Sequence, residues 1–202
     1  IFLIGRTLGR QRLGSMEKIS PMTTAIWQPT LQGALVTLRP LTASDWSALF
    51  AVASDPLIWE QHPASNRYEE PVFRAFFDEA MASGGALLVQ DAATGATIGS
   101  SRYNAHDAST RIVEVGYTFL ARAYWGGKYN GEMKRLMLTH AFQHVDVVEF
   151  LIGPANTRSR TAVERIGARF VGHRPNALGR DSVVYQIAAS TFAETTPGAA
   201  KQ

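Results

Sequence analysis

From residue 33 onward the spacing of apolar positions changes several times, and each change marks a new element. Leu35, Val36, Thr37 and Leu38 form an extended run stopped by Pro40. Trp46, Leu49, Phe50 and Ala53 then recur at helical spacing behind a capping Thr42 or Ser44, until Asp55-Pro56 ends the helix. Residues 59–69 have no period and read as a loop. A second helix opens at Pro71, where a missing N–H does no harm, with Val72, Phe73, Phe76, Phe77 and Ala80 on its apolar side. After Gly84-Gly85 come three extended runs, 86–90, 97–104 and 111–120. The links between them are too short for crossover helices and predict an antiparallel meander.

A third helix is predicted over 129–144. Its polar side is Glu132, Arg135, Thr139 and Gln143, and nearly everything else is apolar or neutral, the pattern of a deeply packed helix. Residues 147–152 read as a buried strand, parallel to 111–120 if that helix is the crossover. A short helix over 157–166 closes at Gly167, and 168–174 with 182–189 form a closing hairpin. The class is therefore α/β: a mixed, mostly antiparallel sheet of about seven strands flanked by four helices, over residues 33–190. Residues 191–202 read as a loose tail.

Composition narrows the function. With 46% apolar and 18% charged residues the chain is globular in character. The absence of cysteine excludes disulfides, thiolate metal sites and a cysteine nucleophile, and no set of side chains has metal-ligand spacing, so no metal is expected. A pI of 9.4 invites a nucleic-acid reading. The excess charge, however, lies in residues 1–20, where Arg6, Arg10, Arg12 and Lys18 face only Glu17, and the remainder balances. No nucleic-acid partner follows. Ile1-Phe2-Leu3-Ile4 is too short for a signal core or a membrane span, so no membrane partner is expected and a cytoplasmic location is. Residues 1–21 read as a flexible extension or a cloning remnant; a basic arm for ribosome or membrane is the sharper alternative.

The most informative stretch is Tyr124-Trp125-Gly126-Gly127-Lys128-Tyr129-Asn130-Gly131-Glu132-Met133. A Gly-rich turn between a strand and a helix start gathers unpaired N–H groups and the positive end of the helix dipole, which suits an anion. Further on, Asn156-Thr157-Arg158-Ser159 opens the short helix. Asn and Ser there serve a ligand or simply cap the helix. His140, on an apolar helix face, reads as a core residue.

Three blocks carry a resemblance to a known family. Glu114-Val115-Gly116-Tyr117 is similar to an E-I-G-Y strand, the 124–133 stretch to a Y-W-G-K-G-Y-A-T-E-A loop, and residues 156–170 to an N-x-x-S helix that ends in Gly before an aromatic strand. In that order they resemble the GNAT superfamily of N-acetyltransferases, in its ribosomal-protein N-terminal acetyltransferase branch, over roughly residues 33–190. The resemblance implies a GNAT-type sheet with acetyl-CoA as co-substrate, attacked directly by a primary amine in a ternary complex. The acceptor would be a protein N-terminus, an amino acid or peptide, or a small amine.

By the same resemblance, backbone around Phe119 and Leu120 would pair with the pantetheine. Trp125, Gly126, Gly127, Lys128, Tyr129, Asn130 and Gly131 would surround the pyrophosphate, although Trp125 and Tyr129 also suit plain packing. Lys128 and Asn130 stand where relatives usually have glycine or alanine, which leaves the amide donors in place. Asn156 would bond the pantetheine and Ser159 would lie near the sulfur, as donor to the departing thiolate. Glu114 is the candidate general base; its alternation with Val113 and Val115 puts it on one face of the sheet and Tyr117 on the other. Trp59, His62 and Tyr103 are candidates for the acceptor pocket. A non-catalytic acyl-CoA-binding module, or an enzyme using another acyl-CoA, are the alternatives, and a homodimer is common for the fold.

Overall fold

The computed structural model describes residues 24–176 and 179–195. Eight strands form one sheet: β1 (Leu31–Gln32), β2 (Val36–Pro40), β3 (Ala86–Asp91), β4 (Thr97–Asp107), β5 (Ile112–Leu120), β6 (Val147–Ile152), β7 (Arg169–Pro175) and β8 (Asp181–Ala188), in the order 1-2-3-4-5-6-8-7. The α-helices are α1 (Thr24–Trp27), α2 (Trp46–Ala53), α3 (Glu70–Ala82), α4 (Lys128–Ala141), α5 (Thr157–Arg165) and α6 (Ala189–Thr195). The extra strand is the two-residue β1, and the extra helices are short ones at the two ends, where a few residues show no period.

The ordered core also reaches beyond residues 33–190. Trp27 is buried, its ring 5.0 Å from those of Tyr103 and His106. Residues 191–195, expected as part of a loose tail, belong to α6, and the Phe192 ring lies 5.3 Å from Phe142. The proposed extension 1–21 and the tail beyond 195 lie outside the described residues.

Every neighbouring pair of strands is antiparallel except β5 and β6. These two are parallel because α4 carries the chain back across the sheet. Their pairing is short: Ile112, Val113 and Glu114 face Val147, Val148 and Glu149, and there the ladder ends. Residues 115–120 and 150–152 continue as strands with no partner across the gap. The cause is a bulge. Tyr117 has φ 55°, and the β4–β5 register shifts between Ser100 and Arg102. An extra residue in one strand bends it away from its neighbour and increases its twist.

The bulge also reverses the side-chain phase. Val113 and Val115 join the core that contains Trp27, Leu87, Met133 and Met137 of α4. Beyond the bulge Tyr117 and Phe119 instead join the opposite core of Leu49, Phe73, Phe76 and Phe77, on the side of α2 and α3. Simple alternation put Glu114 and Tyr117 on opposite faces. The bulge brings them onto the same face, which corrects that expectation.

Two polar residues fix α4 against the sheet. Glu132, on the polar side of α4, accepts the backbone N–H groups of Ala34, Leu35 and Val36 at 3.1, 2.6 and 2.9 Å. A Cβ on Gly33 would lie 2.5 Å from Glu132 Oε2, so only glycine lets the turn close over the carboxylate. Lys134 is buried at 4% exposure, and its Nζ donates to Thr118 Oγ1 at 2.6 Å and Ser101 Oγ at 3.3 Å. No carboxylate among the described residues forms an ion pair with it, and burial lowers the ammonium to about 7 from 10.5.

Glu132→Gln keeps the shape but turns an amide NH2 toward backbone donors. We expect a loss of about 2–3 kcal/mol in denaturant unfolding, because charge-assisted bonds to buried N–H groups are worth more than neutral ones. Lys134→Met should act in the opposite sense and depend on pH. The folded-state pKa is depressed, so the wild type carries the full cost of a buried charge below pH 7. That cost fades as pH rises toward 10.5, where the unfolded chain also releases the proton. The variant should therefore gain most below neutrality, by on the order of 5 kcal/mol at most, and the difference should vanish near pH 10.5. Unfolding both proteins at pH 6, 8 and 10 reads this directly.

Candidate active site

The gap between β5 and β6 opens into a cleft of about 330 Å³, within the range of small-molecule sites. Its walls come from the diverging strand edges, the starts of α4 and α5, and the loop between α2 and α3. One end borders the uncapped start of α4, and the other holds Glu114, Tyr117, His62 and Arg67.

At the first end the chain leaves β5 through a short 3-10 turn (Arg122–Tyr124) and enters α4 through Gly126 and Gly127, with φ 99° and 106°. Those left-handed values suit glycine, and they give α4 a start with no side-chain cap. A fourteen-residue helix therefore presents its first N–H groups unblocked, next to the cleft-lining residues Tyr124, Trp125 and Asn130. Trp125 donates its indole N–H to Leu120 O at 2.9 Å, and the Arg158 guanidinium lies 4.1 Å over its ring. This stacked pair ties the loop to the start of α5.

Asn156 and Ser159 both line the same wall. Asn156 is the N-cap of α5: its Oδ1 accepts the Ser159 N–H at 3.0 Å. Its amide nitrogen and the Ser159 hydroxyl make no hydrogen bond with the described residues. The capping role and a ligand role use different atoms of Asn156, so they do not compete. The α2–α3 loop seals this region, with Gln61 Oε1 accepting the Arg158 N–H at 3.2 Å. Pro63 packs so close to Gly153 that a Cβ there would meet its Cγ at 2.6 Å.

Deeper in, Glu114 lines the cleft and accepts from Asn104 Nδ2 at 2.9 Å. Burial lifts its pKa above the usual carboxylate range; Asn104 and the cations Arg174 and Arg102 oppose the rise, and Glu149 adds to it. Tyr117 stands beside it, with Arg102 4.0 Å beneath its ring and its phenol also raised by burial. Trp59 and His62 close the far wall. Trp59 donates to Ala53 O at 2.7 Å, and burial pulls His62 down to about 4, so the imidazole is neutral at neutral pH.

The cleft thus gathers Glu114, Phe119, Leu120, Trp125, Gly126, Gly127, Asn130, Asn156, Ser159, Trp59 and His62. Lys128, Tyr129 and Gly131 lie outside its lining. Lys128 is exposed, and Tyr129 packs edge-on against Tyr124 at 4.8 Å with its hydroxyl 3.3 Å from Asp91. Tyr103 is a correction: it is fully buried on the α4 side of the sheet and donates to Met137 O at 2.7 Å, away from any acceptor. Its ring lies 5.0 Å from that of Trp27, which precedes the expected domain start at residue 33. His140 does sit in the core, with Nε2 2.6 Å from Ile26 O. Lys134, Tyr117, Arg67 and Arg180 also line the cleft, and for the first two a local sequence signal exists. The signal available was a lysine on an otherwise apolar helix face and a glycine directly before a strand tyrosine.

No cluster of side chains among the described residues could hold a metal ion, and no described helix is long and apolar enough to cross a membrane. Comparison with known proteins places this geometry. A model of the acetyltransferase (GNAT) domain matches residues 36–169. Among solved structures, a GNAT-family protein of Chromobacterium violaceum is similar over 93% of this chain and 99% of its own, at TM-score 0.73 and 21% identity. A GCN5-related N-acetyltransferase from Brucella melitensis is similar at TM-score 0.68 and 24% identity, covering 82% and 80%. Mycobacterium smegmatis RimJ, solved in complex with CoA-disulfide, is similar at TM-score 0.65 and 20% identity, covering 82% and 90%. The chain belongs to the GNAT family and is an acyl-CoA-dependent N-acetyltransferase.

Proposed function

We propose that the acyl donor is acetyl-CoA, bound along the β5–β6 gap, and that a primary amine attacks it directly in a ternary complex. The observation that carries this reading is the alignment of three features along one cleft: an uncapped helix start, two unpaired strand edges and a buried carboxylate. The start of α4 suits a pyrophosphate. The backbone groups of β5 beyond Glu114 that face β6 without a ladder partner suit an amide-bearing arm added like a strand. Asn156 Nδ2 supports that arm from α5.

When bound, the donor supplies an activated acyl thioester. The chain then has three tasks. Glu114 takes a proton from the incoming ammonium; a carboxylate with a raised pKa is a stronger base for this than an exposed one. An N–H on the unpaired edge of β5 stabilises the negative charge that develops on the acyl oxygen. Ser159 donates a hydrogen bond to the departing sulfur, whose thiolate is a weak base and needs little more. Holding both reactants in one narrow gap accounts for much of the remaining acceleration. The amine enters from the side of Trp59 and His62.

Thermal unfolding with acetyl-CoA, beside ATP and NAD as controls, tests the donor. A hundredfold excess over Kd adds about 2.7 kcal/mol, which for a domain of this size raises the midpoint by roughly 5–10 °C. A shift with acetyl-CoA alone is expected, and its absence would overturn the reading. Glu114→Gln should keep that shift but lower kcat about 10²–10⁴-fold. It should also flatten the rise of kcat/KM with pH that the wild type shows through the elevated Glu114 pKa. Intact turnover in Glu114→Gln would remove the base from the mechanism. Ser159→Ala should retain donor affinity and lose turnover.

A further inference from the structure

We infer that the acceptor is an amine that also bears an anionic group, a carboxylate or phosphate held by Arg67 with help from Arg180 while Glu114 receives the amine. This deepens the acetyltransfer reading and rests on it only for the role of Glu114. Arg67 and Arg180 both line the acceptor end of the cleft, with His62.

Arg67 is the anchor. Its guanidinium lies 4.4 Å over the Phe76 ring and 5.5 Å over Trp59, fixed by aromatic faces rather than by an acid. Among the described residues it forms no ion pair. Its one contact at hydrogen-bond distance among the described residues is His62 Nε2, at 3.2 Å from Nη1. That contact cannot be a satisfied hydrogen bond. His62 Nδ1 already accepts the Ala64 N–H at 2.9 Å. A neutral imidazole with Nδ1 as acceptor carries its proton on Nε2, so a ring N–H faces a guanidinium N–H with no acceptor between them. Two convergent donors at a cleft wall call for an anion.

The surrounding charge points the same way. Arg102, 2% exposed, lies behind Tyr117 with Nε and Nη2 unbonded, and its single ion pair, at 3.3 Å, goes to the half-exposed Glu79. Arg102 and Arg180 both act on Arg67, and burial lowers its guanidinium to about 10. Among the described residues, Glu79 offsets Arg67, and Glu79 with Glu114 offsets Arg102. A simple cationic amine would enter a positive field. An amine with its own anion cancels that field and answers the unpaired donors.

The test uses matched pairs of acceptors that differ only in the anion: an α-amino acid and its carboxamide, β-alanine and its amide, phosphoethanolamine and ethanolamine. With acetyl-CoA saturating, the anionic member of at least one pair should show a KM tenfold or more below its neutral partner. Arg67→Met should raise that KM ten- to a hundredfold, at least tenfold more than it changes the neutral partner's KM, and leave the acetyl-CoA thermal shift unchanged. Calorimetry of the anionic amines with the protein alone gives a readout independent of the donor: binding lost in Arg67→Met supports the inference even if acetyl-CoA fails as donor. Neutral partners that bind and react as well as the anionic ones would overturn it, as would an Arg67→Met effect equal for both. The carboxylate and phosphate pairs separate the two kinds of anion.

Discussion

Everything at this site depends on the early end of the β5–β6 ladder. Two parallel strands that paired along their whole length would leave no gap and no free edge groups. The pairing stops at Glu114 and Glu149 because β5 bulges at Tyr117, three residues later. A left-handed φ at a tyrosine costs on the order of 1 kcal/mol or more, and such strain persists only where the surroundings hold it. Here they do: Arg102 lies under the ring, Phe76 lies beside it, and Gly116 leaves room next to Glu114. The same distortion opens the gap and turns Tyr117 onto the face of Glu114.

A gap of this kind needs rigid walls. On one side Glu132 binds α4 to the β1–β2 turn through three backbone N–H groups, which fixes the helix whose uncapped start borders the cleft. On the other, the α2–α3 loop rests on Gly153 and on the first turn of α5 through Gln61. Lys134 sits beneath the gap, where its ammonium holds Thr118 and Ser101 together and costs stability at the same time. A buried cation without a carboxylate partner is expensive in a core. Its position next to the strand edge that would meet the thioester places a positive potential where the reaction develops negative charge.

Much of this was legible in the sequence because its causes are local. Helical spacing of Phe73, Phe76 and Phe77, the Pro71 start and the short links between 86 and 120 each translate into structure without long-range information. The glycines at 126 and 127, and the residues Asn156 and Ser159, were found for the same reason: turn and cap chemistry is written in neighbouring residues. The failures are all non-local. Alternation could not foresee the bulge that moved Tyr117. Glu132 reads as one of a polar stripe with no partner in view, because its partners are 96 to 98 positions away. Lys134 was invisible as a buried charge, and Trp27 lay before the first periodic segment although it fills the core between β4 and α4.

The acceptor end shows how such non-local packing sets chemistry. Glu114 needs a raised pKa to act as a base, and burial provides it, yet nearby arginines lower it again. Arg102, which acts on both Glu114 and Arg67, would while unneutralised stabilise the carboxylate and weaken it as a base. An anion on the acceptor would offset that field at the moment the amine arrives. Glu114 would then be most basic in the ternary complex and least basic in the empty cleft. One set of charges would thus select the acceptor and switch on the group that deprotonates it, which gives the three arginines a reason to crowd a site whose substrate is itself an amine.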